Sequence, residues 1–161
     1  MATTATVCRL ETLYREHYLK YVRVAAAITG DEARGADAVQ DAFIRALKSR
    51  QSYRGEAPLE AWIWRVVVNA ALAARPTHEE PAGDVSVDYQ ANGTQAGDEY
   101  GVRRWIAALP ERQRAAVFLR YFADLDYRSI ALALGVEVGT VSATLSAAHT
   151  ALRRSLQEVP K

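Results

Sequence analysis

The sequence has little cysteine, few prolines and no long apolar run. Cys8 is the only thiol among 161 residues, which excludes an internal disulfide. Five prolines and nine glycines are too few to suggest a chain disordered throughout, and 50% of the residues are hydrophobic, enough to build a core. No stretch of about 18 apolar residues and no signal-peptide pattern occurs, so we expect a soluble cytoplasmic protein without membrane insertion of its own.

Charge is segregated along the chain, although the formal net charge is only +1. Residues 1–75 hold 11 Lys/Arg and 8 Asp/Glu. Residues 76–100 hold no Lys/Arg and 6 Asp/Glu, and residues 101–161 hold 9 Lys/Arg and 5 Asp/Glu. Two mildly basic blocks therefore flank an acidic connector. The small net charge does not exclude a nucleic-acid partner, since the local distribution matters more than the sum.

Hydrophobic periodicity predicts helices on both sides of the connector. Three apolar stripes precede it, the first ended by Gly30 and the third opened by Pro58, and shorter helices follow from Val102 onward. The connector lacks periodicity and, fully extended, its 23 residues from Pro76 to Asp98 could span roughly 75 Å. We predict an all-α fold of two small helical domains, residues 1–75 and 100–161, joined by a flexible acidic linker over residues 76–99.

The last two helices have the spacing of a helix-turn-helix. The pair consists of "DLDYRSIALALG" and "VGTVSATLSAAHTALRRSL", which meet at Gly135. The expected shared core is Ile130, Leu134, Val141 and Leu145, with small Ala131 four residues before Gly135. This spacing also fits an ordinary αα-hairpin. The second helix of a helix-turn-helix normally lies in the DNA major groove, yet here no Lys or Arg occurs between Thr140 and Leu152.

Two long stretches resemble one protein family. Region 4 of bacterial sigma factors of the extracytoplasmic-function (ECF) group is similar to "LPERQRAAVFLRYFADLDYRSIALALGVEVGTVSATLSAAHTAL". Region 2 of the same group is similar to "ITGDEARGADAVQDAFIRALKSRQSYRGEAPLEAWIWRVVVNAAL". Both stretches occur in family order, separated by the acidic linker, and together they cover most of the chain. The chain is therefore identified as a member of this group.

The resemblance implies a protein that binds core RNA polymerase and promoter DNA, with no enzyme activity and no cofactor. Region 2 of the family docks on the polymerase clamp and captures the melted minus-ten strand, while region 4 reads the minus-thirty-five duplex. Acidic linkers of the family thread into the RNA path of the polymerase, so the six carboxylates from Glu79 to Glu99 have either that role or only that of a solvated spacer. An anti-sigma factor is a further implied partner.

The family's polymerase-facing surface maps to the second helix. The matching residues are Asp37, Val39, Gln40, Asp41 and Ile44. Arg34 and Ala36 stand where relatives often carry acids, which weakens the charge complementarity to a basic clamp. One hypothesis is that phosphorylation at Thr29 restores the missing negative charge.

The family's minus-ten surface maps to the third helix and the loop before it. Trp64 and Asn69 match the aromatic residue and the Asn that hold an unpaired base. Arg54 and Arg65 are the expected phosphate partners. Trp62 falls on the apolar stripe and is expected in the core.

The minus-thirty-five surface maps to the helix-turn-helix. Its expected residues are Arg128, Thr140, Ser142, Ala143, Thr144 and Ser146, with Arg112, Arg114, Arg153 and Arg154 as flanking cations. Relatives commonly place Lys or Arg on this helix, so unaided DNA binding should be weak. Two interpretations stay open: a sigma factor with an unusual promoter, or a sigma-like adaptor that binds polymerase or an anti-sigma protein without choosing promoter DNA.

Other classes of protein fit the sequence less well. His17, His78 and His149 are scattered, and no metal-ligand spacing, phosphate-binding glycine loop or nucleophile elbow occurs, so neither an enzyme nor a metal site is expected. A free-standing helix-turn-helix repressor is also possible, but it would leave the resemblance to region 2 unexplained. A measurement of polymerase binding would distinguish such a repressor from a sigma factor.

Overall fold

The computed structural model describes residues 2–75 and 104–158, and within these ranges the chain forms helices and turns but no strand. We number the α-helices in chain order: α1 (Ala2–Thr29), α2 (Glu32–Lys48), α3 (Leu59–Ala73), α4 (Glu111–Val117), α5 (Tyr127–Leu134) and α6 (Val138–Gln157). A 3-10 turn (Arg50–Ser52) follows α2, a helical turn covers residues 104–107, and a π-helical turn (Phe118–Phe122) extends α4. The all-α prediction is confirmed.

Local sequence explains where the first helices begin and end. Gly30 stops α1 by adopting a φ of 78°, a left-handed conformation that glycine takes without steric cost. Asp31 then caps α2, its carboxylate accepting a hydrogen bond from the Ala33 N–H at 3.0 Å. Pro58 was predicted to be the first residue of α3. In the structure it is the N-cap, and the helix begins one residue later, at Leu59.

Helices α1, α2 and α3 pack around an aromatic core. The Tyr21 ring lies 5.3 Å from Phe43 and 4.5 Å from Trp64, centroid to centroid, and all three side chains are buried. Gly35 allows α1 and α2 to approach closely, because a Cβ at this position would lie 2.6 Å from the Ala26 backbone nitrogen. The three-helix unit predicted before residue 75 is therefore present.

The second unit is built around the helix-turn-helix. Gly135 ends α5 with a φ of 66°, and the Val136 N–H donates to the Ala131 carbonyl at 3.0 Å, which closes the turn into α6. Asp126 caps the start of α5 by accepting from the Ser129 N–H at 2.7 Å. Of the expected shared core, the buried members are Ile130, Val141 and Leu145, while Leu134 is half-buried.

The two helical units pack directly against each other, which the sequence did not predict. Helix α3 contacts α5, and α1 contacts α4 and the π-helical turn. Arg75 Nη1 lies 2.5 Å from Glu111 Oε2, and the Arg23 guanidinium lies 4.8 Å from the centroid of the Phe122 ring. Buried apolar residues of both units consequently form one continuous core. The predicted linker, with its carboxylates from Glu79 to Glu99, lies outside the described residues.

Candidate nucleic-acid and polymerase interface

One side of α3 carries a polar stripe with an aromatic residue. Trp62, Arg65 and Asn69 are three and four positions apart, so they share this side of the helix. Arg65 and Asn69 are exposed and Trp62 is half-buried. Most of the remaining residues of the helix are apolar and buried, with Glu60 an exposed exception. The α3 stripe, defined as Trp62, Arg65 and Asn69, is thus available for contacts outside the core.

Trp64 is not part of this stripe. Its side chain is 1% exposed and packs on Tyr21 in the core, so it cannot present its ring to an unpaired base in this structure. Burial, with a smaller contribution from Glu60, raises the pKa of Tyr21 far above its ordinary value. Because α3 packs against α1, α2 and α5, its buried arc is wide enough to include Trp64.

Trp62, not Trp64, is the tryptophan of α3 that reaches the surface. It was expected in the core, yet it is half-buried, and its ring lies 5.4 Å from that of Tyr53, also half-buried. The Tyr53 hydroxyl donates to the Ala57 carbonyl at 2.7 Å, which holds the loop before α3 in place. Arg54, next in that loop, is exposed as expected.

A groove joins α3 to the helix-turn-helix. Arg65 of α3 lies along it together with Arg128, Leu132 and Glu137 from α5 and the following turn. Arg65 was predicted to contact the minus-ten strand and Arg128 the minus-thirty-five duplex. The packing of the two units therefore brings residues predicted for two different DNA elements to one groove.

The predicted polymerase surface on α2 is fully or partly exposed at four of its five positions. Asp37 and Gln40 are exposed, Asp41 is half-buried with a carboxylate 2.8 Å from Arg45 Nε, and Ile44 is 51% exposed. These four residues form the α2 stripe, since positions three or four apart lie on one side of a helix.

Two expectations for this region do not fit the structure. Val39 is 0% exposed and belongs to the core, because it lies on the buried side of α2 rather than among the neighbouring polar residues. Thr29 is 4% exposed, and its Oγ1 lies 3.0 Å from the Ala25 carbonyl oxygen and 2.9 Å from the Asp31 carbonyl oxygen. A buried, hydrogen-bonded hydroxyl in the α1–α2 connection is not accessible to a kinase, so the phosphorylation hypothesis for Thr29 is wrong for this folded state.

The outer face of α6 is polar but carries small side chains. Thr140, Ser142, Ala143 and Ser146 are exposed, and Thr144 is half-buried. Beside this face runs a groove lined by the start of α4 and by α6: Pro110, Arg112, Gln113, Gly139, Thr140, Ala143, Thr144 and Ala147. All the predicted minus-thirty-five positions on α6 are therefore accessible at least in part.

Of the five arginines predicted near the helix-turn-helix, one serves the fold. Arg112, Arg128, Arg153 and Arg154 are exposed. Arg114 instead donates from Nη1 to the Ala107 carbonyl at 3.0 Å, and its partial burial lowers its pKa. Arg114 thus fastens the turn at residues 104–107 to α4, whereas the other four are exposed.

Within residues 2–75 and 104–158, no group of three or more His, Cys, Asp or Glu side chains could hold a metal ion. In the same ranges, no single helix is both long and apolar enough to cross a membrane. Helices α5 and α6, bent by 97° at their turn, meet the length and composition criteria only as a pair.

Comparison with known families matches both halves of the chain to one class of protein. Residues 13–77 match the model of sigma-70 region 2, and residues 101–157 match that of sigma-70 region 4. The ECF RNA polymerase sigma factor SigM of Mycobacterium tuberculosis is 31% identical over 149 residues, covering 91% of this chain and 76% of SigM. SigL of the same species is 29% identical over 169 residues, covering 98% of this chain and 94% of SigL.

Two solved structures share the fold. One is CnrH in complex with the cytosolic domain of CnrY, with a TM-score of 0.71, 18% identity, and coverage of 99% of this chain and 94% of that chain. The other is the sigma factor RpoE in complex with the anti-sigma factor NepR from Bartonella quintana, with a TM-score of 0.66 and 18% identity. The match covers 93% of this chain and 99% of that chain. At this identity the likeness concerns the fold.

These matches decide between the two interpretations left open by the sequence. The chain belongs to the ECF group of bacterial sigma factors, the subunits that direct RNA polymerase to promoters. A promoter-recognising sigma factor is the function supported, and the adaptor without promoter DNA binding is not favoured. Members of this class are non-catalytic regulators.

Proposed function

We propose that this sigma factor captures the melted minus-ten strand with the α3 stripe and reads the minus-thirty-five duplex with the outer face of α6. The observation that carries the first assignment is the exposure of Arg65 and Asn69 beside half-buried Trp62 on one side of α3. An aromatic ring, a guanidinium and an amide on one side provide stacking, phosphate binding and hydrogen bonding for a single strand.

Trp62 takes the stacking role in this proposal. Its ring is half-exposed beside Tyr53, so an unpaired base can stack at the edge of this aromatic pair, and Arg54 adds a cation in the same loop. Trp64 contributes indirectly by fixing α3 against α1. Loss of the Trp62 ring should weaken strand capture, since base–aromatic stacking contributes about 1–3 kcal/mol per base.

The α2 stripe is the proposed polymerase contact. Asp37, Asp41 and Gln40 surround exposed Ile44, an arrangement of polar rim and apolar centre that is typical of protein interfaces. Carboxylates on the rim favour a basic partner surface and mainly increase the association rate.

Promoter binding requires the two helical units to separate. The minus-ten and minus-thirty-five elements lie about 60 Å apart when about 17 base pairs separate them at roughly 3.4 Å per pair. In the structure, α3 packs against α5, so the two DNA-binding surfaces cannot reach elements at that separation. We propose that this packed state is the resting form and that polymerase binding favours the open form.

An anti-sigma protein is a further proposed partner, and the cytoplasm is the proposed location because polymerase is there. Support comes from the likeness in fold to RpoE solved with the anti-sigma factor NepR. An anti-sigma protein that recognises the packed state should remove promoter-specific transcription without degrading the sigma factor.

Run-off transcription tests the proposal. Core polymerase would transcribe fragmented genomic DNA with and without this protein, and transcript starts would be sequenced. We expect discrete starts that share a two-part upstream motif. Trp62→Ala and Asn69→Ala should reduce these starts while leaving polymerase binding intact, whereas Ile44→Asp should reduce polymerase binding itself. Thr12→Ala, on the exposed side of α1, is the matched control.

If polymerase binds the protein but no new starts appear, promoter selection is wrong for this chain. If Trp62→Ala transcribes like the unmodified protein while Trp64→Phe does not, the assignment of the stacking role to Trp62 is wrong.

A further inference from the structure

The outer face of α6 combines methyl groups with small hydroxyl side chains. Thr144 donates its hydroxyl to the Thr140 carbonyl at 2.7 Å, and Thr150 donates its hydroxyl to the Ser146 carbonyl at 3.0 Å. Each of these threonines has therefore no free hydroxyl proton, and what remains for a base is its methyl group and the acceptor lone pairs of its oxygen. Exposed Ala143 and Ala147 add two more methyl groups.

The same face lacks the side chains that read guanine. Bidentate contact with guanine O6 and N7 is made by Arg or Lys, and α6 has neither between Thr140 and Leu152. Arg112 lies across the groove at the start of α4, where it can reach a phosphate beside the helix. Arg112 therefore lies beside the reading face rather than on it.

We infer that α6 reads the minus-thirty-five duplex chiefly through the 5-methyl groups of thymine, packed against Ala143, Thr144 and Ala147, and so selects A·T base pairs there. This inference rests on the proposed use of α6 for the minus-thirty-five element. The family match to region 4 covers residues 101–157 and so includes all of α6, and the side chains of its outer face decide which bases it accepts.

The spacing of the methyl groups suits this contact. Ala143 and Ala147 are four positions apart and rise about 6 Å along one side of the helix. Two thymines two steps apart in B-DNA are separated by about 6.8 Å along the axis. Each alanine can therefore contact a different thymine, with Thr144 beside them.

The backbone of α6 can approach the duplex closely at its start. Gly139 lines the groove, and a Cβ built there would meet nothing within 4 Å, so the space in front of it is open. Ser142 and Ser146 are exposed and can bond to several bases, which adds affinity but discriminates poorly. Discrimination is thus left to the methyl contacts.

Replacement of thymine by deoxyuridine tests the inference directly, because it removes only the 5-methyl group. Polymerase holoenzyme containing the full chain would first select promoters from a pool randomised across the minus-thirty-five region. Individual thymines of the selected motif would then be replaced, and holoenzyme binding measured. We expect an A·T-rich motif in which deoxyuridine at one or two positions weakens binding about fourfold each, the effect of one buried methyl-sized group.

Protein variants connect the effect to α6. Ala143→Ser and Ala147→Ser convert the methyl group into a polar hydroxymethyl group, and each should abolish the deoxyuridine effect at one position. Ala33→Ser, at an exposed alanine of α2, is the matched control and should leave the effect unchanged. The substitution in DNA keeps the test valid even if a protein variant folds poorly.

The outcomes separate this inference from the function on which it rests. A selected motif dominated by guanine, with no loss of binding on deoxyuridine replacement, overturns methyl reading while leaving the sigma factor function intact. Failure to select any minus-thirty-five motif, with polymerase binding retained, overturns both.

Discussion

At the scale of single residues, the Asp126 cap determines how firmly the helix-turn-helix begins. The carboxylate accepts the Ser129 N–H at 2.7 Å, and hydrogen bonds from Ser129 hold the pKa of Asp126 below its usual value. We expect Asp126→Ala to lower the free energy of unfolding by about 1 kcal/mol, the usual effect of losing an N-cap. Urea unfolding followed by circular dichroism would measure it.

Asp126→Asn is the informative companion, because Asn also caps helices but does not ionise. Since the folded pKa of Asp126 is lowered, the stabilisation from its charge is present above the unfolded value of about 3.9 and is lost as the pH falls through the folded pKa. The stability difference between the unmodified protein and Asp126→Asn should therefore shrink in acid. A difference that grows with falling pH would contradict this assignment.

Gly35 is the residue on which the close approach of α1 and α2 depends. An alanine Cβ would lie 2.6 Å from the nitrogen and 2.8 Å from the Cα of Ala26, both backbone atoms that cannot move without shifting the helix. We expect Gly35→Ala to destabilise the protein by about 1–3 kcal/mol, the usual effect of overpacking. Thermal or urea unfolding measures the change.

Gly139→Ala is the matched control for Gly35→Ala, because a Cβ at this helical position meets nothing within 4 Å. There the higher helix propensity of alanine should raise stability by up to about 1 kcal/mol. Equal destabilisation by both variants would mean that the packing at Gly35 is not the cause.

At the scale of elements, α6 keeps the form of a recognition helix without its usual cations. Ser142→Arg would add a guanidinium to the exposed face, and we expect tighter duplex binding with a salt slope steeper by about one unit, the effect of one additional phosphate contact. Affinity for a duplex at several salt concentrations measures the slope. Ser142→Gln adds length without charge and should leave it unchanged; equal slopes for both variants would place position 142 away from the backbone.

At the scale of the whole molecule, the contacts between the two helical units control how readily the protein opens. The ion pair between Arg75 and Glu111 joins the end of α3 to the start of α4, and both side chains are partly exposed. Loss of such a pair costs at most about 1 kcal/mol, or about fivefold in the open population, and Arg75→Glu should add to this the repulsion between two carboxylates.

Energy transfer between dyes on Cys8 and on a cysteine introduced at Gln157 would report this opening, since both positions are exposed. Arg75→Glu should lengthen the mean distance, and the combined exchange with Glu111→Arg should restore it. An unchanged distance in the single variant would show that apolar packing alone holds the units together.

Helix positions and ends were largely predictable because their signals are local. Gly30 and Gly135 end helices and Pro58 precedes one because of their own backbone preferences. Apolar periodicity identified the sides of α1 and α6 that face the core. The two tryptophans of α3 were less predictable: the apolar stripe assigned Trp62 to the core, where it is only half-buried, and the family resemblance assigned the buried Trp64 to DNA. A helix that contacts three others has a wide buried arc, and its sequence does not reveal which of two nearby tryptophans lies at the edge.

The sequence by itself determined the family, the all-α fold and the unusual chemistry of α6, since these depend on residue identity and short-range spacing. The tertiary structure decided which of those residues can be reached: Val39, Thr29 and Trp64 are buried, and Ile44 and Trp62 are at least partly exposed. It also decided that the two units pack together through α3 and α5. Burial and docking depend on surfaces brought together from distant parts of the chain, and no local pattern encodes that geometry.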